Sequence, residues 1–226
     1  RHLSHRVWWR QETEPNNITH GLRLAVSTSA PPSSRLTGPS PNDGSSIEDL
    51  CRSILERRKR HVIIEDRSDL RGAGMVALAE ALVGGATEYL SIWSCDVGDE
   101  ELAVLAEVLP RTIIRYVGLF CNPFGDAGLC ALAAVITRTK LTHISCMSDT
   151  IFDEGALAFA DVLPRSGLVE LTLGRDGLTA RGREALLDAF RSMDSVLEYL
   201  GGSDFDECNR ITRSRTSKQR AMVLVC

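Results

Sequence analysis

Five histidines and seven cysteines are the side chains of this sequence best able to hold a metal or move a proton. None stands in a pattern that would do so. Cys51, Cys95, Cys121, Cys130, Cys146, Cys208 and Cys226 are odd in number and scattered, with no C-x-x-C pair. They read as free thiols in a reducing compartment, not as a disulfide framework or a zinc site. His2, His5 and His20 fall in an N-terminal arm expected to be disordered, and His61 opens a candidate strand. His143 lies within another strand, with no Cys or Asp partner at readable spacing. Phosphate-binding loops, G-x-S-x-G elbows and H-E-x-x-H helices do not occur. The sequence therefore predicts no catalytic residue, no metal, no cofactor and no enzyme activity.

The aromatic residues are placed more tellingly. There are three Trp, three Tyr and six Phe, and two pairs recur 27 residues apart: Tyr89 with Tyr116, and Trp93 with Phe120. Rings in equivalent slots of neighbouring strands suit burial against another surface, and Trp and Tyr dominate the energetic centres of protein interfaces. That chemistry is binding, and it requires elements that repeat with the same period.

Such elements are present. Gly74, Glu101, Gly128, Gly155 and Gly182 lie on a 27-residue spacing. Leu78, Leu105, Leu132, Phe159 and Leu186 follow four residues later, and Leu70, Val97, Phe124, Ile151 and Leu178 precede by four. Upstream run the alternating pairs Leu90/Ile92, Val117/Leu119, Ile144/Cys146 and Leu171/Leu173, which is strand periodicity. Downstream the apolar spacing becomes helical, as in Leu102, Leu105, Ala106 and Leu109. Each unit is a strand, a turn and an amphipathic helix, and units must stack to bury their apolar faces. In the first unit, His61-Val62-Ile63-Ile64-Glu65, an acid falls on the apolar phase. Either the register slips by one residue there, or Glu65 guards an edge strand.

Stacked in phase, the outward slots form columns. One reads Trp93, Phe120, Met147, Gly174; a second reads Tyr89, Tyr116, His143, Glu170; between them runs Ser91, Gly118, Ser145, Thr172. The expectation is an exposed aromatic patch beside a shallow groove, with Tyr89, Trp93, Tyr116, Phe120, His143 and Met147 as the partner-binding residues. Two other readings stay open: the columns only stabilise the sheet, or an N-terminal arm carrying Trp8 and Trp9 covers them.

The run Leu119-Phe120-Cys121-Asn122-Pro123-Phe124-Gly125-Asp126-Ala127-Gly128, in phase with the other units, resembles the ribonuclease-inhibitor-like class of leucine-rich repeat. Cys95 stands where Asn122 stands in the next unit, whereas Ser68, Asp149 and Asp176 depart from the pattern. The resemblance implies an α/β solenoid of about five repeats, with a curved parallel β-sheet inside and helices outside. It implies a protein partner bound on the concave face. It also brings two alternatives: a GTPase-activating regulator of a Ran-like small GTPase, and a fragment of a larger immune-receptor-like protein.

The expected boundaries are a disordered arm over residues 1–45, the repeat domain with an N-terminal capping helix over 46–206, and a basic tail over 207–226. Ser45-Ser46-Ile47-Glu48 offers a capping box for the first helix. The basic run Arg57-Arg58-Lys59-Arg60 suits a helix C-terminus, with a localisation or nucleic-acid signal as the other reading. In the tail, Ser214 and Ser217 sit among arginines as candidate phosphorylation sites. A net charge of −4 speaks against a nucleic-acid partner, and no apolar run is long enough for a membrane partner. The chain is expected to be monomeric and cytoplasmic, with the nucleus as the alternative.

Overall fold

The structure, a computed structural model, describes residues 46–174, 177–192 and 195–201, together with the backbone of 210–213 and 222–225. The chain divides into two units, Arg1–Pro39 and Ser40–Cys226, and every described residue belongs to the second. The arm with Trp8 and Trp9, Asp176, Ser214, Ser217 and Cys226 lie outside the described residues.

The first helix, α1 (Ile47–Arg57), starts from a reciprocal cap. Ser46 Oγ accepts from the Asp49 N–H at 3.2 Å, and the Asp49 carboxylate accepts from the Ser46 N–H at 3.3 Å. The box therefore runs from Ser46 to Asp49, one residue beyond the Ser45–Glu48 spacing. Its buried face carries Ile47, Cys51 and Ile54 and closes one end of the stack.

Strands and helices then alternate: β1 (His61–Glu65), α2 (Ala73–Gly84), β2 (Tyr89–Trp93), α3 (Asp99–Val108), β3 (Tyr116–Phe120), α4 (Asp126–Ile136), β4 (His143–Met147), α5 (Asp153–Val162), β5 (Glu170–Leu173), α6 (Ala180–Arg191) and β6 (Tyr199–Gly201). These six strands pair in chain order, all parallel. Leu78, Leu105, Leu132, Phe159 and Leu186 are all fully buried, as the helical phase predicts. The chain is an α/β leucine-rich-repeat-like solenoid, as expected. Beyond β6 the sheet gains two antiparallel strands, β7 (Arg210–Arg213) and β8 (Met222–Val225), within the stretch set apart as a basic tail.

The two irregular ends have local causes. Val62 and Ile64 are the buried pair of β1, in register with Leu90 and Ile92 at a spacing of 28 residues. The extra residue lies in the turn before Leu70, so the register slips there; β1 is also an edge strand. Glu65 consequently points outward beside Trp93, not into the core. At the other end Leu200 pairs with Leu171 at a spacing of 29, two residues out of phase. That offset hides β6 from a search at 27.

Polar side chains join the units. Asn122 is buried, and its Oδ1 accepts from the Cys95 and Val97 N–H groups at 2.9 and 3.2 Å. Its Nδ2 donates to the Ile92 and Phe120 carbonyls at 3.0 and 2.8 Å. One unit on, Asp149 is exposed, and the buried Ser148 hydroxyl takes up the inward role by donating to the Phe124 carbonyl at 2.7 Å.

A second ladder starts at the helix N-termini. Asp99 Oδ1 accepts from the Gly125 and Gly128 N–H groups of the next unit at 2.7 and 2.8 Å. Asp126 Oδ1 accepts likewise from Phe152 N–H, and Asp153 Oδ1 from Thr179 and Gly182 N–H. This ladder accounts for the landmark glycines Gly128, Gly155 and Gly182. A Cβ at Gly128, Gly155 or Gly182 would stand 2.8, 2.9 or 2.5 Å from the preceding unit's aspartate oxygen. It also explains the exception at Glu101. The unit before it has Gly72 in place of an aspartate, and the Glu101 carboxylate itself accepts from the Gly72 and Gly98 N–H groups, at 3.0 Å each. Burial pushes the Glu101 carboxyl up, but these donors outweigh it and hold it below the usual range.

Candidate functional site: the outward face of the sheet

The register confirms the columns. Tyr89, Tyr116, His143 and Glu170 are successive partners, as are Trp93, Phe120 and Met147, and Ser91, Gly118, Ser145 and Thr172. Parallel strands set equivalent residues about 4.8 Å apart, close to the thickness of an aromatic ring pair. Trp93 and Phe120 stack with centroids 4.0 Å apart and planes 20° apart. Tyr89 and Tyr116 stack at 4.1 Å and 6°, with His61 tilted against Tyr89 at 5.5 Å.

The groove expected between the columns is absent over β2 and β3. The Trp93 indole N–H donates to Ser91 Oγ at 2.7 Å, drawing the ring across the small column, and Ser91 is buried. On β3 a Cβ at Gly118 would meet Phe120 Cε2 at 2.6 Å and the Tyr116 ring at 2.9 Å. The rings from both columns therefore lean over Gly118 and form a plate. The small column opens only at Ser145 and Thr172, which are half-buried. Phe120 also departs from the expected exposed ring: it is only 6% exposed, wedged between its register neighbours Trp93 and Met147. Tyr89, Trp93, Tyr116, His143 and Met147 are half-buried and form the accessible part of the plate.

Electrostatically the plate is neutral. Burial, with Tyr89 alongside, pushes the Tyr116 phenol far above its ordinary value. Burial lowers the His143 imidazole, against an opposing pull from Glu198, and raises the Glu170 carboxyl. Both shifts favour uncharged forms, so the 4.0 Å approach of His143 Nε2 to Glu170 Oε2 is a weak contact rather than a strong ion pair. His143 Nδ1 lies 2.8 Å from Thr142 Oγ1. Charge sits on the rims instead. Glu65, Asp66, Asp96 and Asp149 are exposed where the strands end, and Arg60, Arg115 and Lys140 are exposed where they begin.

Sequence reasoning missed the outward β1 residues Ile63 and Glu65, which the 28-residue step shifts by one, and Tyr199, the register partner of Glu170 on β6. The covering of the small column had one legible signal, a glycine on a strand between aromatic residues two positions away on either side.

No family model and no curated protein sequence matches the chain. Among solved structures it is similar to the actin-binding site 2 of leiomodin-1, with a TM-score of 0.51 and 16% identity over 63% of this chain and 84% of that one. It is also similar to the tropomodulin C-terminal domain from Caenorhabditis elegans, with a TM-score of 0.48 and 12% identity over 64% of this chain and 91% of that one. The leiomodin likeness supports the leucine-rich-repeat-like fold and nothing finer. Among the described residues, no helix is long and apolar enough to cross a membrane.

Proposed function

We propose that the chain is a monomeric, intracellular protein-interaction module, not an enzyme, and that it binds a protein partner on the outward face of its parallel sheet. The observation that carries this reading is the aromatic plate. Trp93 and Tyr116 are held rigid by stacking, leaving little side-chain entropy to lose on binding, and they offer apolar surface next to polar edges. Tyr89, His143 and Met147 extend the contact, and Phe120 supports Trp93 from the adjacent strand. The fold likeness lends support of a general kind, because the leiomodin-1 structure is that of an actin-binding site. Actin is accordingly the first defined bait.

The test is affinity capture with wild-type and Trp93→Ala chains side by side, with purified actin as one arm and thermal melting to show that both are folded. Removing Trp93 should weaken the true partner by about 2–4 kcal/mol, a loss of roughly thirtyfold to a thousandfold. A partner whose dissociation constant is unchanged by Trp93→Ala does not bind this face.

A further inference from the structure

We propose that the segment bound on this face is basic, with an arginine or lysine side chain lying between the free face of Trp93 and the carboxylate of Glu65. The inference rests on the docking reading above and names the chemistry of the partner. Trp93 stacks on Phe120 with nearly parallel planes, so its ring normal runs across the strands and its other face is turned toward β1. The register partner there is Glu65, exposed and outward. Ile63, 47% exposed, lies two residues back and gives the pair an apolar floor. Among the described residues, β1 has no neighbouring strand on its far side.

The surrounding charge selects the same occupant. Asp66 and Asp96 are exposed on this rim, and none of Glu65, Asp66 and Asp96 has an ion-pair partner among the described residues. The adjacent base, Arg67, is buried and bound to the Asp69 carboxylate at 2.5 and 2.9 Å. An acidic segment would meet three unneutralised carboxylates. A guanidinium can lie flat on an indole and pair with a carboxylate at its edge, and an ammonium can make the same two contacts with less overlap.

The test uses the full chain and two probes: an acetylated, amidated pentapeptide of alternating leucine and arginine, and its counterpart with glutamate in place of arginine. Binding is read by nuclear magnetic resonance at the Trp93 indole N–H, assigned with Trp93→Phe. The arginine peptide should shift this signal and the glutamate peptide should not. Glu65→Gln should weaken the arginine peptide by about fivefold, and Glu65→Lys should shift the preference toward the glutamate peptide. Thermal melting checks that the variants fold. Equal response to both peptides, or an unchanged affinity in Glu65→Gln, overturns the inference. If captured partners are lost with Trp93→Ala but retained with Glu65→Lys, the docking face stands and its proposed basic occupant falls.

Discussion

His143 sits at the centre of the sheet with its charged form disfavoured by burial, and this has a readable consequence. Its folded-state value lies below the ordinary 6.5, so the unfolded chain takes up the proton first as the pH falls. Its share of stability is intact above about 6.5 and is lost between there and the lower folded value. His143→Gln should flatten that part of the profile, seen as a smaller drop in the urea midpoint between pH 7 and about pH 5.5 than in the wild type. An identical drop in both chains would show that other groups control it. The neighbouring Glu170 shifts the other way, and its burial cost grows as the pH rises through its raised value. The two residues therefore tilt the profile in opposite senses.

Among the elements, the contact between α3 and α4 is the clearest case of a sequence landmark with a physical cause. A methyl group at Gly128 would press on Asp99 Oδ1 at 2.8 Å and Leu102 Cδ2 at 3.0 Å. Gly128→Ala should therefore cost about 1–3 kcal/mol despite the higher helix propensity of alanine. In an Asp99→Ala background the same change should cost less, and a double-mutant cycle by urea unfolding measures the difference. Strict additivity would mean that the clash is relieved elsewhere. The 27-residue phase of these glycines was plain in the sequence, but its reason was not, because the residue that excludes a side chain belongs to the preceding unit. The strands themselves were legible wherever the phase held. β1 and β6 blurred at spacings of 28 and 29, where a turn gains one or two residues without disturbing the sheet. The columns were legible as neighbours in register. Their lean across Ser91 and Gly118 was not, because strand periodicity assigns a side chain to a face but not the direction in which it lies on that face.

For the whole molecule, stability is the sum of units and the interfaces between them, and a unit flanked on both sides gains more than one at an end. The strands β2 to β4 have both neighbours, both stacked ring pairs and the Asn122 bridge. Native-state hydrogen exchange should find the slowest amides there, with the edge strand β1 exchanging through partial opening at lower free energy. Uniform protection across all six strands would point instead to a single all-or-none unit.

The aspartate ladder also sets a rule for concatenation. A unit carrying Asp99, Asp126 or Asp153 must be followed by one with glycine at the landmark, whereas the Glu101 unit must follow one with glycine at the position of Gly72. A duplicated copy of the α4 unit can be spliced in after itself, because it offers Asp126 at one junction and Gly128 at the other. A duplicated copy of the α3 unit cannot, since Asp99 of one copy would face Glu101 of the next, carboxylate against carboxylate. The repeats thus carry a reading order, and anyone lengthening this solenoid must respect it at every junction.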